Sequence, residues 1–167
     1  TVIIGRNQDL ETEVNLDFCR KHGVRVVRRK SGGGCVYADM GNLMVSYITP
    51  ERGVDIVFPR FLRKMAECLG GFGLEAVVSG HNDILMGGRK VSGSAFFAHT
   101  AASIVHCTLM HSVNLDMLQN AITPTEAKLA RHSVKSVRQR VANLSDLIPG
   151  IEIDTIKAAL TEAFCDS

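Results

Sequence analysis

The chain has 167 residues, 46% of them hydrophobic and 22% charged, which excludes a disordered or low-complexity protein and suits one soluble globular domain. Aromatics are only 5% and there is no Trp, so the core has to rest on Val, Ile, Leu, Met and Ala. A formal net charge of +2 is too small for a nucleic-acid coat, and no apolar run reaches the roughly 18 residues of a membrane span.

In chain order, TVIIG (1–5) reads as a strand already under way, so the domain is expected to begin upstream, and no signal peptide is visible. Asp9 can cap a helix running to about His22, with Leu10, Val14 and Phe18 on one face and Gly23 as the stop. VRVVR (24–28) is a short strand feeding a glycine loop, and NLMVSYIT (42–49) is another strand. Phe61, Leu62, Met65, Ala66 and Leu69 recur at helical spacing before Gly70 and Gly71. EAVVS (75–79), DILM (83–86), RKVSGSAFF (89–97) and SIVHCTLMH (103–111) read as strands, and Gly87-Gly88 supplies a two-residue hairpin turn. Short helices are expected at 114–121 and 124–130, and a final one over about 154–165. Strands cluster in the middle with helices between and after them, which predicts an α+β domain, a mixed, largely antiparallel sheet flanked by helices.

Five cysteines, Cys19, Cys35, Cys68, Cys107 and Cys165, are odd in number and widely spaced, with no CxxC. That argues against a disulfide framework or a zinc site and for a reducing, cytoplasmic setting.

Four stretches carry chemistry. RRKSGGGCVYADMGN (28–42) sets two arginines ahead of three consecutive glycines. No GK[ST] follows, and the loop leads from strand to strand, so neither a P-loop nor a dinucleotide fingerprint fits. Bare backbone permits close approach of a phosphate, and Arg28 and Arg29 add charge; a plain turn with solvated arginines is the other reading. HNDILMGGRKVSGSA (81–95) places Asn82 and Asp83 across a tight hairpin from Lys90, and strict alternation would set Ser92 and Ser94 on the face of Lys90. In VHCTLM (105–110), His106 and Thr108 share one face and Cys107 the other, so His106 is badly placed to activate that thiol. Lys135, Arg138 and Arg140 crowd VKSVRQRVANLSDL (134–147), either as a basic loop closing over a phosphate or as a solvated helix-turn with a short helix begun at Asn143.

Taken together, VIIGRNQ (2–8), RRKSGGGCVYADMGN, NDI, GRKVSGSA, HCTLM and KSVRQRVANLSDL resemble the lipoate–protein ligase A family, in order and over nearly the whole chain. The resemblance implies a catalytic domain of the biotin/lipoate ligase and octanoyltransferase type spanning 1–167. The family's accessory C-terminal domain would then lie beyond this stretch, or a separate small accessory protein would supply its function. It also implies that lipoate attacks the α-phosphate of ATP, with Mg²⁺, to give lipoyl-AMP. A lysine of an acceptor lipoyl domain then takes the acyl group. Acceptors are acyltransferase subunits of 2-oxoacid dehydrogenases and the glycine-cleavage H protein, with no nucleic acid or membrane involved.

By the same resemblance, Lys90 contacts both acyl carbonyl and phosphate, and Arg29 meets nucleotide and acyl carbonyl. Ser31, Gly33, Gly34, Cys35, Val36, Tyr37 and Asn42 belong to the adenylate-binding stretch. Asn82 and Asp83 help set phosphate and magnesium, with Asp83 the metal contact. Ser92, Ser94, His106 and Thr108 are pocket positions, and Lys135 and Arg138 lie in the adenylate-binding loop. Ala38 stands where the family shows His, Cys107 where Gly is usual, and Cys35 where Ala or Thr is usual. The alternatives are an octanoyl or lipoyl transferase working from a carrier protein or preformed adenylate, or one half of a partner-dependent ligase. Carrier-dependent relatives use a cysteine nucleophile, and SGHND (79–83) has none nearby.

Overall fold

The computed structural model describes residues 1–80, 82–123 and 140–165. The helix expected over 124–130, together with Lys135 and Arg138, lies outside the described residues. The strands are β1 (Val2–Ile4), β2 (Val26–Arg28), β3 (Val36–Tyr37), β4 (Asn42–Thr49), β5 (Ala76–Ser79), β6 (Asp83–Met86), β7 (Arg89–Ala98) and β8 (Ser103–Met110). The helices are α1 (Leu10–Glu13), α2 (Leu16–Lys21), α3 (Val54–Gly70), α4 (Leu115–Ala121), α5 (Leu144–Leu147) and α6 (Ile153–Cys165).

This is an α+β fold, with two sheets where one was expected. The larger sheet runs β4-β8-β7-β6-β5 and is antiparallel throughout. The smaller, β2-β1-β3, holds the parallel pairing of β1 with β2. β3 is only two residues long and sits between the glycine loop and Asp39, too short to leave an alternating pattern.

Helix α3 presents Val57, Phe61, Leu62, Met65, Ala66 and Leu69 to one face of the large sheet, at the spacing of a single helical stripe. They pack with Ile84, Met86, Val91, Val105, Cys107 and Leu109 from the sheet and with Ile156 and Leu160 of α6. A second core joins Val2, Ile4 and Tyr37 of the small sheet to Met110, Val113, Leu118, Ala121 and Ile122.

Between Asp9 and His22 the chain breaks into two helices. Asp9 does cap the first, accepting from the Thr12 N–H at 3.0 Å. Val14 then turns extended (φ −132°) and bridges Ile122. Asn15 starts the second helix by accepting from the Phe18 N–H at 3.0 Å. Asparagine offers this local acceptor more readily than it sustains a helix interior, and the strand-like bridge fixes the break.

The hairpin between β6 and β7 turns at Gly87 and Gly88, with φ of 55° and 72°, the left-handed pair that a two-residue turn demands. Above the turn the register shifts: Leu85 faces Lys90, but Ile84 faces Ser92, so Val91 is an extra residue. A bulge reverses the phase of everything beyond it. Lys90 therefore shares a face with Gly93 and Ala95, and the expectation that Ser92 and Ser94 share it is overturned. Those two serines pair with Leu109 and Cys107 and lie on the core face.

The segment around 141–143 returns to the large sheet. Lys90 and Val141 form a parallel bridge, and the Ala142 N–H donates to the Lys90 carbonyl at 2.9 Å. Asn143, 7% exposed, locks the turn after β8: its Oδ1 accepts from the Val113 N–H at 2.9 Å and its Nδ2 donates to the Val113 carbonyl at 3.0 Å. That engagement leaves α5 without a side-chain cap from Asn143. Asn143→Ala should destabilise the domain by roughly 2–3 kcal/mol, because it leaves two buried backbone groups unpaired. Urea denaturation checks this as a lowered midpoint with unchanged slope.

Candidate active site

The glycine loop is organised from within by Arg29. Its guanidinium donates to the carbonyls of Ile3 (3.1 Å), Gly32 (2.7 Å) and Gly34 (2.8 Å), and its Nε also reaches Ser31 Oγ (3.2 Å). Such carbonyls are the loop groups left unpaired when a strand dissolves into glycine, and one planar cation collects them. Gly33 has φ of 91°, and a Cβ there would stand 2.9 Å from the Arg29 guanidinium. Gly5 fits against the Gly33 carbonyl, leaving no room for a side chain. Arg28 plays a parallel part outside the loop, donating to the carbonyls of Gly5, Arg6 and Gln8.

Ser31, 4% exposed, shares a 2.6 Å hydrogen bond with His106 Nε2. The loop is thereby tied to the floor of the large sheet, where His106 pairs with Ala95 and Thr108 with Gly93. Burial, and after it the nearby Arg29 cation, hold the His106 imidazole below its usual value. Burial also lowers Arg29, and the neighbouring Cys35 partly offsets that.

At the other side of the floor stands Asp83, 7% exposed. Its Oδ1 meets Lys90 Nζ at 2.6 Å and its Oδ2 meets Arg140 at 2.6 Å. Asn82 ties the two strands together, donating from Nδ2 to the Ser94 carbonyl at 3.0 Å while its own carbonyl accepts from the Ser94 N–H at 2.8 Å. These groups surround a cavity of about 290 Å³. Its lining is partly polar, with Arg29, Asn82, Asp83, Lys90, His106 and Arg140, and partly apolar, with Ile3, Val36, Tyr37, Met110, Leu118 and Ile122. Such a lining can hold an anion that carries an apolar chain.

Of the residues singled out from sequence, Arg29, Gly34, Cys35, Val36, Tyr37, Asn42, Asn82, Asp83, Lys90, His106 and Thr108 border this cavity together. Ser31 stands behind them through His106. Ser94 borders it too, with its side chain on the Cys107 side, whereas Ser92 is fully buried. Two residues were missed. Arg140 stood out only as one of a basic cluster, and its partner Asp83 is 57 residues away in sequence. Gly93 interrupts a strand pattern, which is itself the signal of a close approach. Cys107 is pushed up to about 12 by burial, so its thiol stays protonated.

Residues 1–165 match the family model of the lipoyl protein ligase A/B catalytic domain. The chain belongs to this family. Among lipoyl protein ligase relatives, a lipoate-protein ligase of Bacillus subtilis is 40% identical over 149 residues, a match covering 89% of this chain and 45% of that protein. The chain thus spans about half the length of the curated relatives it matches. Among solved structures, a bi-partite lipoate protein ligase of Thermoplasma acidophilum, described with its E2 lipoyl domain, superposes with a TM-score of 0.83 at 31% identity. That match covers 99% of this chain and 66% of the other. A lipoate-protein ligase A bound with ATP gives 0.81 at 31% identity, over 99% of this chain and 68% of that one.

A depressed His106 has a sign that can be checked. Between its folded value and about 6.5 the unfolded chain binds more protons than the folded one, so stability falls as pH drops through that window. An NMR titration should place the His106 midpoint below 6.5. His106→Gln should flatten the acid side of the stability profile, and a midpoint at or above 6.5 would contradict the assignment.

Proposed function

We propose that this chain is the catalytic domain of an ATP-dependent lipoate–protein ligase. The observation that carries the reading is the cavity itself, lined by apolar side chains and by a lysine that a buried aspartate holds in place. Lipoate's hydrocarbon chain suits the apolar lining, since burying each CH₂ contributes about 0.8 kcal/mol. Its carboxylate is read as lying beside Lys90.

In the first step a carboxylate oxygen attacks the α-phosphorus of ATP. A new P–O bond forms, the bond to pyrophosphate breaks, and lipoyl-AMP results. Two anions must meet, and the Lys90 ammonium between them offsets their repulsion and stabilises the charge that builds in the transition state. In the second step the ε-amine of an acceptor lysine attacks the acyl carbon. An amide forms, the amine's proton goes to solvent, and AMP leaves with the anhydride electrons. Lys90 serves again, at the carbonyl oxygen and the phosphate. Positioning supplies much of the remainder, with no covalent enzyme intermediate.

Arg29 is committed to the carbonyls of Ile3, Gly32 and Gly34, so its charge acts from a fixed place while the backbone of Gly33 to Tyr37 lies along the adenylate. Asn42, Asn82, His106 and Thr108 complete the lining, and Arg140 adds a second cation. Lys135 and Arg138, which lie outside the described residues, are read as adenylate-binding. Ser92 and Ser94 are read as supports of the core face.

Magnesium fits the residues poorly as a protein-held ion. Both oxygens of Asp83 already face cations, and no cluster of three His, Cys, Asp or Glu side chains occurs among the described residues. Mg²⁺ is therefore read as travelling with ATP rather than as ligated by Asp83. Acceptors are taken to be lipoyl domains of 2-oxoacid dehydrogenase acyltransferase subunits and the glycine-cleavage H protein, with an accessory domain or separate protein assisting. Five free cysteines suit a reducing cytoplasm. No helix among the described residues is long and apolar enough to cross a membrane.

Lipoate-dependent ATP–pyrophosphate exchange tests the first step, and transfer from synthetic lipoyl-AMP to a lipoyl domain tests the second. Lys90→Ala should lower both by on the order of 100-fold or more. Rates equal to those of the unsubstituted chain would remove Lys90 from the mechanism. Transfer from an acyl carrier protein, blocked by a thiol reagent, would favour the transferase instead.

A further inference from the structure

Gly93 sits inside β7, where a strand gains nothing from lacking a side chain. Its φ lies outside the left-handed region, so its backbone does not require glycine. What a side chain there would meet is specific. A Cβ at 93 would stand 2.6 Å from Lys90 Nζ, 2.8 Å from Lys90 Cε and 3.7 Å from Asp83 Oδ1, with nothing nearer. Lys90 lies across the bare Cα of Gly93 to reach the carboxylate.

The register explains why. Asp83 pairs directly with Gly93, whereas Lys90 pairs with Leu85. The bulge at Val91 puts Lys90 and Gly93 on one face, and the lysine then folds over the glycine onto Asp83 at 2.6 Å. From this we infer that Gly93 is a positioning residue of the reaction: its missing side chain is the groove that seats the Lys90 ammonium between Asp83 and the cavity. The inference rests on the reading of Lys90 as catalytic, and it adds how the lysine is aimed. The groove also restricts rotamers of a side chain that otherwise has many, so the cation is placed before substrate arrives. A methyl group at 93 turns Nζ away from Asp83 without straining the backbone.

The test compares Gly93→Ala, Lys90→Ala and the double variant in the purified chain. Thermal unfolding should separate Gly93→Ala from the unsubstituted chain by only a few degrees. Acylation of Lys90 by an amine-reactive acetyl ester, followed by peptide mass spectrometry, should become several-fold faster in Gly93→Ala, because the amine is released toward solvent. ATP–pyrophosphate exchange should fall on the order of 100-fold in kcat, the scale of loss for a misplaced catalytic group. In the Lys90→Ala background, adding Gly93→Ala should change neither stability nor exchange, since the only side-chain end it strikes is gone. If the single variant fails to fold and the double variant folds, the steric pairing is upheld. Unchanged Lys90 labelling, or equal loss of stability in both backgrounds, would overturn the proposal and leave Gly93 a packing residue. Absence of exchange and of transfer from lipoyl-AMP in the unsubstituted chain would instead overturn the ligase reading, while the labelling result still decides whether Gly93 places Lys90.

Discussion

Asp83 holds a cation on each oxygen, Lys90 on one and Arg140 on the other, at a carboxylate that is 7% exposed. Taking an anion out of water costs several kcal/mol unless charged partners meet it with good geometry. The two cations solve that problem for Asp83, and Asp83 solves the reverse problem for them, since neither is left to be attracted elsewhere. Three parts of the chain are drawn together by this exchange: the start of β6, the start of β7 and the segment that returns after residue 139. Removing the aspartate would leave two neighbouring cations without the anion they share. Removing either cation would leave the carboxylate half satisfied.

The surroundings are arranged to keep that cluster in reach of a ligand. The large sheet has one face sealed by α3 and α6, and the other carries His106, Thr108, Gly93 and Ala95 as a polar, low-relief floor. The small sheet and α4 supply the apolar wall. Arg29 gives the glycine loop its shape, and Ser31 pins that loop to His106. The loop and the hairpin thus line one cavity, although Arg29 and Asp83 stand far apart in sequence. Charge on the hairpin side is paired with the Asp83 carboxylate, while the Arg29 guanidinium is paired with backbone carbonyls.

Much of this was legible from the residues. Gly87-Gly88 between alternating runs specified the β6–β7 hairpin, and the stripe from Phe61 to Leu69 specified the buried face of α3. Both are local signals that burial reinforces. The glycine motif with GRKVSGSA was enough to point to the lipoyl protein ligase family. What the sequence concealed depended on partners far away. Val14 left its helix because Ile122 was there to bridge it. Ser92 and Ser94 changed face because one extra residue, Val91, sits between the hairpin's second and third rungs, and alternation alone does not reveal a bulge. Arg140 acquired its role from Asp83 through a return of the chain that periodicity does not encode. Arg29 borders the cavity as expected of a ligand contact, and its donors to the carbonyls of Ile3, Gly32 and Gly34 are a structural role that a count of charges could not foretell.

The central claim is that Asp83 seats Lys90 where the acyl carbonyl and the phosphate of an adenylate come together. A crystal structure with a non-hydrolysable acyl-sulfamate analogue of lipoyl-AMP tests it most directly. The acyl chain should lie along Ile3, Met110 and Leu118, with Lys90 Nζ within hydrogen-bond distance of both the carbonyl and sulfamate oxygens. An analogue bound elsewhere, or bound in the cavity with Lys90 turned away from that junction, would contradict it.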